Sequence, residues 1–163
     1  MPTLRAQLIT QSEEAFRGNA WHGPSVWPTL TKLHWEEALA PSPFEGYTAW
    51  GVVLHMAYWK HLATVRLAKA SGGAVSSPGR LFRGPADWPL VPDPASGPGW
   101  LEDLVQLDLV HRRWVAALEA FPDDLWDQAV NARGRTVAST AFGVPAHDLY
   151  HIAQIRNMGV RRF

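Results

Sequence analysis

The sequence predicts an all-α fold, a four-helix bundle with a long crossover between its second and third long helices. Three observations predict it. Four long stretches place apolar side chains at helical spacing. No run alternates apolar with polar residues as a half-buried strand would. Glycine and proline gather between the stretches: across residues 71–99 each fills 6 of the 29 positions, so neither helix nor central strand persists there. The 163 residues suit one domain, 1–163, with a sizeable core.

The first helix is expected from Thr3 to Arg17, with Leu4, Leu8, Ile9, Ala15 and Phe16 apolar, Thr3 as its cap and Gly18-Asn19 as its stop. Trp21-His22-Gly23-Pro24-Ser25 reads as a turn. A short helix from Trp27 to Leu39 follows, ended by Pro41 and Pro43. The second long helix is expected from Tyr47 to Lys69. At about 100° per residue, His55, Trp59 and Leu62 share an inward side, and Lys60, His61 and Thr64 share the polar side. A helix of about 23 residues is about 35 Å long. The irregular stretch 71–99 can return along that length, so the second and third long helices can run parallel. Leu81, Phe82, Trp88, Leu90 and Val91 give this crossover side chains to pack, and Trp88 and Phe82 are expected to border the pocket.

The third long helix is expected from Trp100 to Ala120, with Leu104, Leu107, His111, Trp114, Val115 and Leu118 in one stripe and Pro122 beyond its end. Asp127 to Thr136 reads as a loop or short extended piece. The fourth is expected from Ser139 to Met158, with Ser139 or Thr140 as N-cap. Pro145 falls at its first turn or kinks it. On its wheel His147, His151, Gln154 and Met158 share one face, with Arg156 opposite.

Acidic and basic side chains balance at 15 each, so there is no electrostatic footprint for nucleic acid or an anionic membrane. Cysteine is absent, which removes disulfides, thiolate ligands and a cysteine nucleophile together. No secretory signal or apolar run of about 20 residues is visible. The expectation is a cytoplasmic protein.

The histidines carry the chemistry. His147 and His151 are spaced i, i+4, which stacks both on one helix face. His55 lies on the inward side of a different helix. Three imidazoles can hold a divalent ion and leave a position open for water or substrate. The alternative is a polar core patch satisfied by Tyr and Asp partners. Imidazole suits zinc, nickel, copper and iron alike. Tyr58, Trp59, Gln154, His22 and His111 are candidates for lining the pocket; His111 reads first as a core histidine, and His34 and His61 read as surface residues. Each ligand's second ring nitrogen needs an acceptor. Asp148 falls off the ligand face and reads as a contact to a neighbouring helix, which leaves Glu13, Glu14 and Asp108 as unranked alternatives. A di-iron carboxylate bundle fits poorly, because it needs paired Glu-x-x-His motifs and only Asp108-x-x-His111 and Asp148-x-x-His151 occur.

Leu54-His55-Met56-Ala57-Tyr58-Trp59, followed by Val65-Arg66-Leu67, resembles the second-helix motif of the DinB-like (YfiT-like) metalloenzymes. His147-Asp148-Leu149-Tyr150-His151-Ile152-Ala153-Gln154-Ile155 resembles that family's fourth-helix signature, with Ala153 where the family commonly has glycine. Trp21 to Ser25 and Phe82 to Pro89 resemble its turn after the first helix and its loop between helices two and three. The resemblance implies up-down-down-up connectivity, a homodimer, and one divalent metal ion (zinc, nickel or iron) on His55, His147 and His151. Pro145, two residues before the first ligand of the pair, bears on how that pair is aimed. The better understood members use low-molecular-weight thiols such as bacillithiol or mycothiol. That implies a thiol-dependent S-transferase, or a hydrolase, acting on a small-molecule substrate. The alternatives are a non-catalytic metal-binding stress-response protein and a structural bundle whose histidines are core residues.

Overall fold

Six helices form in chain order: α1 (Leu4–Phe16), α2 (Val26–Leu30), α3 (Trp35–Leu39), α4 (Ala49–Ala70), α5 (Gly97–Ala120) and α6 (Val137–Asn157). The computed structural model describes residues 1–18, 20–21, 23–42, 46–75 and 87–158. Among these there is no strand, only isolated bridges at Pro41–Thr48 and Ala129–Thr136. No helix among them is long and apolar enough to cross a membrane.

Each long helix starts on a hydroxyl. Thr3, Thr48, Ser96 and Thr136 accept from the backbone N–H of Ala6, Gly51, Gly99 and Ser139, satisfying donors that the first helical turn leaves unpaired. The cap of α6 is therefore Thr136, not Ser139 or Thr140. Ser139 instead supplies the N–H that Thr136 binds, and the Thr140 hydroxyl donates to the Thr136 carbonyl. Pro145 lies in the interior of α6, which runs unbroken past it. The expected single helix from Trp27 to Leu39 is two short ones, because His34 starts afresh: its N–H donates to Glu37 Oε2 at 2.9 Å.

The long helices pack α4 on α5 and α6, and α1 on α5 and α6. Along α4, Trp50 and then Lys60 meet Asp103 and then His111 of α5. Along the same helix, His55 and then Lys60 meet His151 and then Asp148 of α6. Along α1, Arg5 meets the Phe121 carbonyl just past the end of α5, and Ser12 and Arg17 meet Trp114 and Asp108 within it. The apolar core has two parts. One gathers Phe16, Trp50, Leu54, Leu107 and Ile152, with Trp27 and Trp35 of the short helices packed against it. The other gathers Leu8, Leu67, Trp114, Leu118 and Ala141. On each long helix the residues between the two parts include a polar one: Glu13, Lys60, His111 and Asp148.

The polar side expected for α4 does not face water. Fourteen of its 22 residues are buried, Lys60, His61 and Thr64 among them. A helix covered by α3, α5 and α6 at once has little surface left for solvent. His61 is thus a buried histidine and not a surface one; His34 is exposed. Of the crossover, residues 71–75 and 87–96 are irregular as expected, while Leu81 and Phe82 lie outside the described residues.

Candidate metal centre

His55 of α4 and His147 and His151 of α6 come together, each offering one ring nitrogen within 4.8 Å of the other two. The i, i+4 spacing brings His147 Nε2 and His151 Nε2 to 3.0 Å. Neighbouring nitrogens of a tetrahedral zinc, with bonds of about 2.0–2.1 Å, are about 3.3 Å apart, so the pair is already close to a ligating separation. Pro145 does not turn it aside.

Two of the three rings are fixed by their second nitrogen. His55 Nδ1 contacts the backbone carbonyl of Asp87. Only an N–H can donate there, so the lone pair of His55 is on Nε2. His151 Nδ1 donates to Gln154 Oε1 at 2.6 Å, which leaves the His151 lone pair on Nε2, facing His147. Gln154 in turn donates through Nε2 to the Tyr150 hydroxyl at 3.4 Å. Backbone carbonyls and amide oxygens in this position set the tautomer and raise the basicity of the ligand nitrogen. Around them, Trp88 stacks on His55 with ring centroids 4.0 Å apart and on Tyr47 at 4.1 Å, and Trp59 meets His55 edge-on.

All three imidazoles are held neutral. Burial pushes His55 and His151 below the ordinary histidine value, against the opposing pull of Asp87 and Gln154. His147 is pushed down to about 3, first by burial and then by His151, His55 and Lys60. Neutral rings with their nitrogens gathered this closely suit a divalent cation, which would displace the proton that His147 and His151 share. The donor set, its spacing and its outer hydrogen bonds all fit a bound metal ion.

A cleft of about 410 Å³ opens beside His147. Its walls are Trp59 and Arg66 of α4, Asn131 and Arg135 of the loop before α6, and Val144 and His147 of α6. Its wall also includes Lys60 and Asp148, both 1% exposed. Lys60 Nζ donates to Asp148 Oδ2 at 2.5 Å and to His111 Nδ1 at 3.3 Å, and His111 Nε2–H donates to Glu13 Oε1 at 3.1 Å. Burial lowers Lys60 and raises Asp148, and their contact opposes both shifts. The Phe16 ring face 4.3 Å from Nζ favours the ammonium. The chain ties α6, α4, α5 and α1 together across the layer between the two apolar clusters.

Of the residues expected at the site, His55, His147, His151 and Gln154 meet there, and Trp59, edge-on to His55, lines the cleft alongside His147. Tyr58 is buried with its ring edge-on to Trp59. His111 is a core histidine stacked on Phe16 at 3.8 Å, reaching the cleft wall only through Lys60. His22 lies outside the described residues. Asp148 contacts a neighbouring helix, as its place on the wheel required. None of Glu13, Glu14 and Asp108 backs a ligand: Glu13 holds His111, Asp108 pairs with Arg17 and Arg112, and Glu14 is exposed. Asp87, Arg66 and Arg135 escaped the sequence reading. Asp87 acts through its backbone, which leaves no signature in side-chain type, and Arg135 reaches the cleft through a loop. The only available signal for the first was its neighbour, Trp88, an aromatic in a crossover that needed something to stack on. No family model, no curated protein and no solved structure matches this chain.

Proposed function

We propose that His55, His147 and His151 hold one divalent metal ion and that the chain is a metal-dependent enzyme of the DinB-like kind, a thiol S-transferase or a hydrolase. The observation that carries the reading is the set of three neutral imidazoles with ring nitrogens within 4.8 Å of one another, two of the rings fixed from behind by Asp87 and Gln154. The order of helix contacts supports up-down-down-up connectivity: α4 rises with α5 and against α6, and α1 runs against α5.

Bound there, a divalent ion supplies Lewis acidity that acidifies a coordinated water or thiol. The chain's own residues do the rest. Asp87 and Gln154 keep a proton on Nδ1 of His55 and His151. Trp88 and Trp59 exclude water from the His55 side. The cleft beside His147 gives a substrate a place to lie, and this favours an enzyme over a protein that only sequesters metal.

Elemental analysis of protein purified without an affinity tag tests the metal: one divalent ion per chain is expected, lost in His55→Ala and His151→Ala. Protein that takes up no metal under any reconstitution overturns the reading. For the reaction, metal-loaded protein is expected to conjugate a small thiol to a chloro-dinitro-arene. No turnover with a broad panel of thiols, esters and amides would leave metal sequestration as the function.

A further inference from the structure

We propose that the cleft between α4, α6 and the loop before α6 binds a small molecule through its anionic group, a carboxylate or phosphate, seated on Arg66 and Arg135 with its body against Trp59. The chemistry of the lining carries this. Lys60 and Asp148 neutralise each other, and no other acidic side chain lines the cleft. Arg66 and Arg135 therefore give it an uncompensated positive charge. Neither guanidinium makes an ion pair among the described residues. An unpaired arginine facing a concave site offers a planar fork of N–H donors that matches carboxylate or phosphate oxygens.

Arg66 is held by packing, and Arg135 is placed at the cleft by the turn that precedes it. Arg66 is half-buried, its Cζ 5.7 Å from the centroid of the Trp59 ring. Arg135 follows a tight turn: Asn131 Oδ1 accepts from the N–H groups of Arg133 and Arg135 at 3.0 and 3.2 Å, and Gly134 takes φ +73°, a conformation glycine adopts without strain. Opposite them, Gly143 leaves the α6 wall open; a Cβ there would meet nothing within 4 Å. The Trp59 face and Val144 supply an apolar surface for a flat ligand body. The volume of about 410 Å³ is in the range of small-molecule sites, about 300–1,000 Å³.

The presentation of such a molecule to His147 rests on the metal reading, but the anion contacts do not. Calorimetric titration of the full chain, stripped with EDTA, with benzoate, phenyl phosphate and the uncharged benzamide separates the two. Benzoate or phenyl phosphate is expected to bind at least about tenfold more tightly than benzamide, as loss of a charge-assisted hydrogen bond predicts, and to weaken with added salt. The better of the two anions identifies carboxylate or phosphate as the preferred group. Arg66→Gln is expected to weaken it at least about tenfold, and Arg135→Glu, at an exposed position where the fold is not at stake, by at least as much. Benzamide binding as tightly as the anions, no heat with either anion up to its solubility, or full affinity in Arg135→Glu would each overturn the proposal.

Discussion

The chain from Asp148 through Lys60 and His111 to Glu13 and the group formed by His55, His147 and His151 are both polar clusters buried among the same helices, and they treat their hydrogen-bonding capacity in opposite ways. In the first, Lys60 donates in two directions and His111 passes a donor on to Glu13; of the side-chain atoms of these four residues, Asp148 Oδ1 alone is buried without a partner. In the second, the outward nitrogens of His55 and His151 are satisfied by Asp87 and Gln154, and the inward ones face only each other. Donors and acceptors that consume one another tie helices together. Imidazole nitrogens that gather with one proton between two of them could give that proton up to a cation. Burial by itself does not distinguish the two, since His111 and His151 are both buried.

The sharpest way to break this comparison is to remove Lys60. Lys60→Met leaves the Asp148 carboxylate buried and uncompensated, and is expected to cost about 3–5 kcal/mol of unfolding free energy by urea titration. The double variant Lys60→Met/Asp148→Leu is expected to regain most of that. A single variant as stable as the parent would mean the pair does not anchor the helices.

Next in size is Gln154→Leu, which frees the His151 ring. Metal affinity, read by competition with a chromophoric chelator, is expected to fall about 10–100-fold, with urea stability of the metal-free protein nearly unchanged because Gln154 is only half-buried. The reverse pattern, lost stability with affinity kept, would place Gln154 in the structural cluster.

The smallest effect lies in pH. His111 is pushed down to about 2, first by burial and then by Lys60 and Arg17, against about 6.5 when unfolded. It binds its proton only in the unfolded state between those values. Its contribution is therefore whole above pH about 6.5 and is lost as pH falls toward 2, at no more than about 1.4 kcal/mol per pH unit. In metal-free protein His111→Asn is expected to flatten the stability profile below pH about 6 by close to one proton. An unchanged slope would show that His111 is already charged in the fold.

Much of this was legible because helical periodicity is local. Thr3, the stripe from Leu104 to Leu118 and the inward turn of His55, His147 and His151 follow from residues within a few positions of one another. Lys60 and His61 were misread for the complementary reason. A helical wheel ranks the faces of α4 against each other, but it does not register that α3, α5 and α6 cover that helix at once.

By itself, then, the sequence determined where four long helices run, and that two of them carry three histidines on inward faces. Spacing along one helix dictates those facts, and so does the scarcity of glycine and proline within it. Only the tertiary structure decided that Asp87 and Gln154 aim the rings. It alone decided that Lys60 and Asp148 neutralise each other, and that Arg66 and Arg135 line a cleft beside His147. Most of those contacts join residues far apart in the chain, and each depends on which helix faces which. That is settled by burying both apolar clusters together, a condition on all the helices that no single stretch encodes.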